Sequence, residues 1–351
     1  MENKEVILLS TGAIGDLVIA SAVRAALWEK KINDVGIVSS NHTLGLWFDE
    51  QRAYAYEGQS IPFLPANTIV VDIRSYLRHF PHSSVLPGTD KKAHLCQWMA
   101  QEAIAVCEEL EGILDPKYVS RDDVEIILSK EEVMWGIGEI GKIRREHGKL
   151  VTILAPYSNT QNRNMGMQRL EQVVRGLEDT TTICQLEPFE EAQYVQGTRR
   201  MGNKDLRKVA ALLLAADAYI GVDSGPLHLL NGAIQRSEFY EHELEQRRDP
   251  AKVFVVLGSS AAEVVAYKGN SVITSPVSIC SVAPCGSHGY VAPEAYGEHF
   301  GRVFHRAKQP EKDKSGCIFE EHHYPNTAPC MTAVAYEQII EAVREYLRQN
   351  K

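Results

Sequence analysis

The segment Val6-Ile7-Leu8-Leu9-Ser10-Thr11-Gly12-Ala13-Ile14-Gly15-Asp16-Leu17-Val18-Ile19 constrains the fold more than any other stretch of the chain. An apolar run ends in a Gly-containing turn, and the turn ends in a carboxylate that opens an amphipathic helix. Strand, tight turn and helix N-terminus in that order set a ligand site at the carboxyl edge of a parallel sheet. The unusual residue is Asp16. The positive field of a helix N-terminus favours the ionised carboxylate, which is poor at holding phosphate directly but available as a base. The turn therefore reads as a place of chemistry, with any phosphate held elsewhere.

The rest of the chain repeats the alternation. Strands are predicted at Val35–Ser39, Thr68–Ile73 and Val124–Leu128, and helices at Leu17–Glu29, Ala93–Leu110 and Glu131–Glu146. Ser129 precedes the last of these as a cap, and Gly148 follows it as a stop. A second series then begins: strands at Leu150–Leu154, Thr181–Leu186, Ala218–Val222, Val253–Leu257 and Ser271–Thr274, with helices at Met167–Leu177, Asp205–Ala216 and Pro226–Ile234. A final amphipathic helix covers Val334–Leu347. Two rounds of β/α alternation, broken near Glu146–Lys149, predict an α/β chain of two doubly wound, Rossmann-like domains facing a central cleft. The divisions are 1–148, 149–333 (with a long irregular segment late in it), and a helix at 334–351 that packs back toward the first domain.

Composition narrows the function. The chain has 351 residues and a net charge of −9, which argues against a general nucleic-acid or anionic-membrane binder. No apolar run approaches the roughly 18 residues of a membrane span, and no basic-then-apolar leader is seen. A cytoplasmic protein is expected, at most peripheral at the inner membrane. Seven cysteines in such a protein are thiols or metal ligands sooner than disulfides.

A second turn carries chemistry: Gly221-Val222-Asp223-Ser224-Gly225-Pro226-Leu227-His228. An apolar strand ends in Asp-Ser-Gly, and Pro226 stands at the first helical position, where its missing N–H costs nothing. The backbone N–H groups of Ser224, Gly225 and Leu227, the Ser224 hydroxyl and His228 converge where an anion would bind. The plain alternative is a strand-to-helix turn with Asp223 and Ser224 as capping groups.

Taken together, the two turns resemble those of the heptosyltransferases of glycosyltransferase family 9. The matching residues are Gly15-Asp16, the turn from Asp223 to His228, the helix pattern Val209–Asp217 ahead of it, and Cys330-Met331 before the last helix. The resemblance implies the GT-B architecture, with the acceptor in the first domain and a nucleotide-diphosphate sugar, ADP-heptose favoured, in the second. It implies inverting transfer with chemistry that needs no metal. Asp16 would deprotonate an acceptor hydroxyl, and Ser224, Gly225, His228 and Asp223 would form the leaving-group phosphate site. The acceptor would be a glycan such as lipopolysaccharide core, or a protein side chain.

The same resemblance places a basic residue after the first strand of the second domain. Arg163 is the best match, with Ser158 and Asn159 as secondary phosphate contacts. A solvated loop cation is the other reading of Arg163. Glu187 falls where a nucleotide-contacting acid would sit, or is a plain loop residue. Arg74, Arg78, His79, His82, Lys91, Lys92 and His94 form a basic, His-rich segment that would bind an acidic acceptor sugar, or remain a solvated loop. Cys280-x4-Cys285, then Cys317 and Cys330, would supply a tetrahedral site for structural zinc or iron. Autotransporter heptosyltransferases of the family carry a four-cysteine iron site in this region, with different spacing. Buried thiols packed as small hydrophobes are the alternative. Other readings of the whole chain are another GT-B nucleotide-sugar enzyme such as an epimerase, or a non-catalytic, metal-stapled binding protein.

Overall fold

The computed structural model describes residues 5–9, 14–32, 35–39, 53–55, 68–73, 93–158, 163–186, 194–202, 205–235, 247–275 and 329–350. Two parallel sheets organise them. The first contains β1 (Glu5–Leu9), β2 (Val35–Ser39), β3 (Ala53–Ala55) and β4 (Thr68–Asp72), in the order β3-β2-β1-β4. The second contains β5 (Leu150–Ala155), β6 (Thr181–Leu186), β7 (Arg199–Met201), β8 (Ala218–Gly221), β9 (Val253–Leu257) and β10 (Ser271–Thr274). Its order is β10-β9-β8-β5-β6-β7. Read from its β7 edge, this is the 3-2-1-4-5-6 winding of a dinucleotide-binding fold. The strand order reverses between β1 and β4 in one sheet and between β5 and β8 in the other. Crevices for ligands open at the carboxyl ends of strands at such reversals.

The helices are α1 (Ile14–Glu29), α2 (Leu95–Val106), α3 (Lys130–His147), α4 (Met167–Leu177), α5 (Leu206–Ala215), α6 (Gly225–Gln235), α7 (Ala262–Val265), α8 (Pro329–Thr332) and α9 (Tyr336–Gln349). Among the described residues no helix is long and apolar enough to cross a membrane. Local chemistry sets several of the boundaries. Ser129 and Glu132 form a reciprocal capping box at the start of α3, and Gly148 ends it in the left-handed region at φ 66°. Asp205 caps α5 by accepting from the N–H groups of Arg207 and Lys208.

Alternation along the strands of the second sheet divides two cores. Val151, Ile153, Tyr219, Val253, Val255 and Leu257 face one of them, and Leu154, Ile220, Phe254 and Val256 face the other. The first core is continuous with that of the first sheet, so α1, α2, α3, α5 and α6 share one apolar interior. Each fully buried Val, Leu or Ile there contributes roughly 1.5–3 kcal/mol relative to exposure.

One expectation is corrected, and the packing of two helices is placed. Val124–Leu128 is not a strand: Val124, Ile126 and Leu128 are buried, but the Ile126 N–H donates to the Gly232 carbonyl of α6 (3.0 Å) and the Glu125 N–H to the Ser21 hydroxyl of α1 (2.8 Å). One helix carbonyl and one helix hydroxyl take these two N–H groups in place of a ladder, and Leu128 forms an isolated bridge. Helix α3, expected to close the first domain, packs on α5 and the second sheet. Arg207 donates to both oxygens of Glu132 (2.5 and 2.6 Å) and to the Ile127 carbonyl (2.6 Å), and Arg144 pairs with Asp217. Among the described residues, helix α9 packs chiefly on α4. Ile339, Val343 and Leu347 enter the second core, and Arg169 ties to the Val334 carbonyl at 2.6 Å.

The α3–α5 contact is close enough to exclude a side chain: a β-carbon on Gly136 would lie 2.5 Å from the Ala211 carbonyl oxygen. Gly136→Ala is expected to lower stability by about 1–3 kcal/mol through overpacking, although alanine is about 1 kcal/mol the better helix former. Urea unfolding checks this, and a midpoint that is unchanged or raised would show that the helices separate at no cost.

Candidate active site at two converging helix ends

Helix α1 begins at Ile14, three residues before the expected start, so Gly15 and Asp16 occupy its first turn. Helix α6 begins at Gly225. The two helices pack against one another, and their N-terminal ends meet. A β-carbon on Gly15 would lie 2.8 Å from His228 Cδ2 and 3.4 Å from Nε2; one on Gly225 would lie 3.1 Å from Ile14 Cβ. Gly15 and Gly225 thus each face a residue of the other turn with little room for a side chain. The structure brings Gly15-Asp16 and Ser224-Gly225-His228 together, and the positive ends of both helix dipoles point to one junction.

Asp223, 2% exposed, is the hub beneath that junction. Ser260 donates its hydroxyl to Oδ2 at 2.7 Å. Arg163 Nη1 lies 3.1 Å from the same oxygen and donates to the Asp223 carbonyl at 3.0 Å. His228 Nε2 stands 3.8 Å from Oδ1. Arg163 is therefore not a solvated loop cation: it bridges the carboxyl ends of β5 and β8, with its side chain 16% exposed. The loop that carries it is closed by Met165 N–H to the Pro156 carbonyl (3.1 Å) and Ser158 N–H to Asn164 Oδ1 (2.6 Å). Two expected phosphate donors are already engaged. The Ser224 hydroxyl donates to the Val222 carbonyl (3.2 Å), and the Leu227 N–H to the Ser224 carbonyl (3.0 Å).

Cys330 and Met331 reach the same sheet edge. A β-carbon on Gly258, after β9, would lie 2.7 Å from Met331 Sδ and 2.9 Å from the Cys330 carbonyl carbon, two residues ahead of Ser260. Cys330 is half-buried. Among the described residues, no group of three or more potential metal ligands is found. Glu187, Asn159, Arg74, Arg78, Lys91, Lys92, Cys280, Cys285 and Cys317 lie outside the described residues.

Sequence reasoning missed Tyr267 and Ser260 and misread His94. Tyr267 is buried, its hydroxyl 2.7 Å from His228 Nδ1, and its ring meets both His228 and His94 edge-on (centroids 5.7 and 5.0 Å). His94 is no part of a solvated basic surface. It is the buried N-cap of α2, where its Nδ1 accepts from the Cys96 N–H (3.3 Å) and Gln97 Oε1 accepts from its own N–H (3.1 Å). His94 with Gln97 three residues on is a capping-box spacing that the sequence does show. Nothing local marks Tyr267 or Ser260, which reach the site because β9 lies beside β8.

At the level of sequence, no family model and no curated protein matches the chain. Solved structures do. A glycosyltransferase family 9 protein from Veillonella parvula DSM 2008 superposes at TM-score 0.56 and 14% identity, over 99% of each chain. TibC, an iron-containing dodecameric heptosyltransferase of enterotoxigenic E. coli H10407, solved in complex with ADP-D-beta-D-heptose, gives 0.57 and 13%, covering 100% of this chain and 78% of its own. The E. coli ADP-heptose lipopolysaccharide heptosyltransferase II gives 0.52 and 10%, over 99% of each. The fold is that of family-9 glycosyltransferases, GT-B, with two Rossmann-like units.

Burial, together with the charges of His228 and Arg121, pushes the His94 pKa down to about 3 from 6.5. Below pH 6.5 the unfolded chain binds a proton that the folded chain refuses, so this residue subtracts stability as pH falls from about 6.5 toward 3. His94→Asn keeps a capping acceptor and removes the titration. Its unfolding free energy is expected to fall less steeply than the wild type's between pH 6.5 and 4, measured by urea titration at each pH. Parallel curves would refute the buried, neutral imidazole.

Proposed function

We infer that the protein is an inverting glycosyltransferase that moves a sugar from a nucleotide-diphosphate donor to an acceptor hydroxyl. One observation carries the reading: the Gly15-Asp16 end of α1 is pressed against the Ser224-Gly225-His228 end of α6, at the carboxyl edges of both sheets. A carboxylate from one half thus shares a junction with the anion-binding turn of the other.

In this mechanism Asp16 takes the proton of the acceptor hydroxyl as its oxygen attacks the anomeric carbon, on the face opposite the leaving diphosphate. Transfer is late, after bond formation has acidified the hydroxyl. The negative charge that builds on the leaving phosphate is met by the positive ends of α1 and α6 and by His228. Arg163 and Ser260 hold Asp223 fixed beneath, so these donors are in place before the charge appears. The fold shared with TibC, solved with ADP-D-beta-D-heptose, supports a nucleotide-sugar donor and favours ADP-heptose. A glycan hydroxyl, lipopolysaccharide core included, is the acceptor we favour, with a protein side chain as the alternative.

Nucleotide-diphosphate sugars are expected to raise the melting temperature, ADP-heptose most; no shift with any of them would overturn the reading. Asp16→Asn is expected to lower turnover by about a hundredfold or more while the donor-induced shift persists. Unimpaired turnover in that variant would remove Asp16 from the base role.

Cys280, Cys285, Cys317 and Cys330 are proposed to hold one structural zinc or iron. The iron-containing TibC, alike in fold, supports this. Elemental analysis of purified protein is expected to give about one metal per chain, lost in Cys280→Ser. A metal-free protein that is folded and active would refute it.

A further inference from the structure

Tyr267 lies on a strap that both halves of the chain grip. From the first half, Arg121 Nη1 donates to the Ala266 carbonyl at 2.7 Å, and the His94 ring meets the Tyr267 ring edge-on. From the second, the Tyr267 N–H donates to Asn270 Oδ1 (3.1 Å), and Asn270 Nδ2 to Asn231 Oδ1 on α6 (3.0 Å). Asn231 Nδ2 in turn donates to the Leu227 carbonyl (2.8 Å), one residue before His228. The strap is therefore registered on the helix that carries His228, and its phenol ends 2.7 Å from that ring's Nδ1.

We propose that Tyr267 is a positioning residue: its hydroxyl donates to His228 Nδ1 and so holds the imidazole in the tautomer that carries hydrogen on Nε2. The proton on one ring nitrogen of a histidine is decided by the bond the other nitrogen makes. A phenol can donate or accept, but among the described residues the buried Tyr267 hydroxyl meets no acceptor other than Nδ1, and Nε2 stands 3.8 Å from the Asp223 carboxylate, which accepts and cannot donate, so a proton on Nε2 suits both neighbours. The Nε2 edge also lies over Gly15, which turns the N–H to the junction of the two helix ends. In its catalytic sense the assignment rests on the proposed transferase activity; the tautomer itself does not.

Histidine-selective ring ¹⁵N labelling of the full chain, with 12 histidines, reads the tautomer directly, and His228→Gln assigns the signal. The wild type at pH 8 is expected to show His228 as a single tautomer protonated on Nε2. Tyr267→Phe keeps the ring and loses the hydroxyl; its His228 is expected to show both tautomers in exchange. A wild-type proton on Nδ1, or a doubly protonated ring, overturns the proposal whether or not the variant folds. So does a Tyr267→Phe protein whose His228 signal is unchanged. Where sugar transfer is measurable, Tyr267→Phe is expected to lower kcat roughly tenfold to a hundredfold, as for a misplaced group, with the donor KM within about threefold. Full kcat would also sink it. Failure to find a donor leaves the tautomer arm intact and so marks a failure of the transferase reading alone.

Discussion

The N-terminal turns of α1 and α6 approach so closely that a β-carbon at Gly15 would clash with His228 and one at Gly225 would crowd Ile14. Much else follows from this contact. It fuses the two sheets into one continuous core rather than two bodies joined by a linker. It brings two positive helix ends together, an arrangement that is unfavourable unless negative charge is supplied. Asp16, in the first turn of α1, and Asp223, just ahead of α6, supply it. In the proposed mechanism the first of the pair is the base, and the surroundings of the second complete the site for the leaving phosphate.

Asp223 shows how a buried charge is sustained. It is nearly inaccessible, and Ser260, Arg163 and His228 all surround it. A carboxylate taken from water in this way is tolerated when its oxygens are bonded and an opposite charge stands beside it. Its partners come from the ends of β5, β8 and β9, three adjacent strands of the second sheet. A change at any one of them would leave the others partly satisfied, and partly satisfied networks are the costly ones. His228 extends the network to Tyr267, and Tyr267 reaches His94 in the first half.

Much of this was legible in the sequence, for reasons that are local. Strand Thr181–Leu186 and helix Met167–Leu177 appear where apolar periodicity placed them, because a doubly wound sheet buries its strands on both faces and gives its helices one apolar stripe. Ser129, Glu132, Gly148 and Asp205 act as the caps their chemistry predicts. Short strands with weak apolar signal, β3 and β7, were not legible; they pair because an edge was open to them. Val124–Leu128 carried the right alternation but met helices in place of a strand.

The sequence by itself determined the two rounds of β/α winding and the two turns, since strand, turn and cap signals act over a few residues. Only the tertiary structure decided which half each helix serves. Helix α3 joined the second sheet and α9 lay on α4, because the partner of an apolar stripe is not written in the stripe. Packing also decided what the motif residues do. Arg163 turned to Asp223, the Ser224 hydroxyl turned to its own backbone, and Tyr267 entered the site from a strand neighbour with no motif of its own. Residues distant in sequence meet only where strand order and helix packing bring them within a few ångströms.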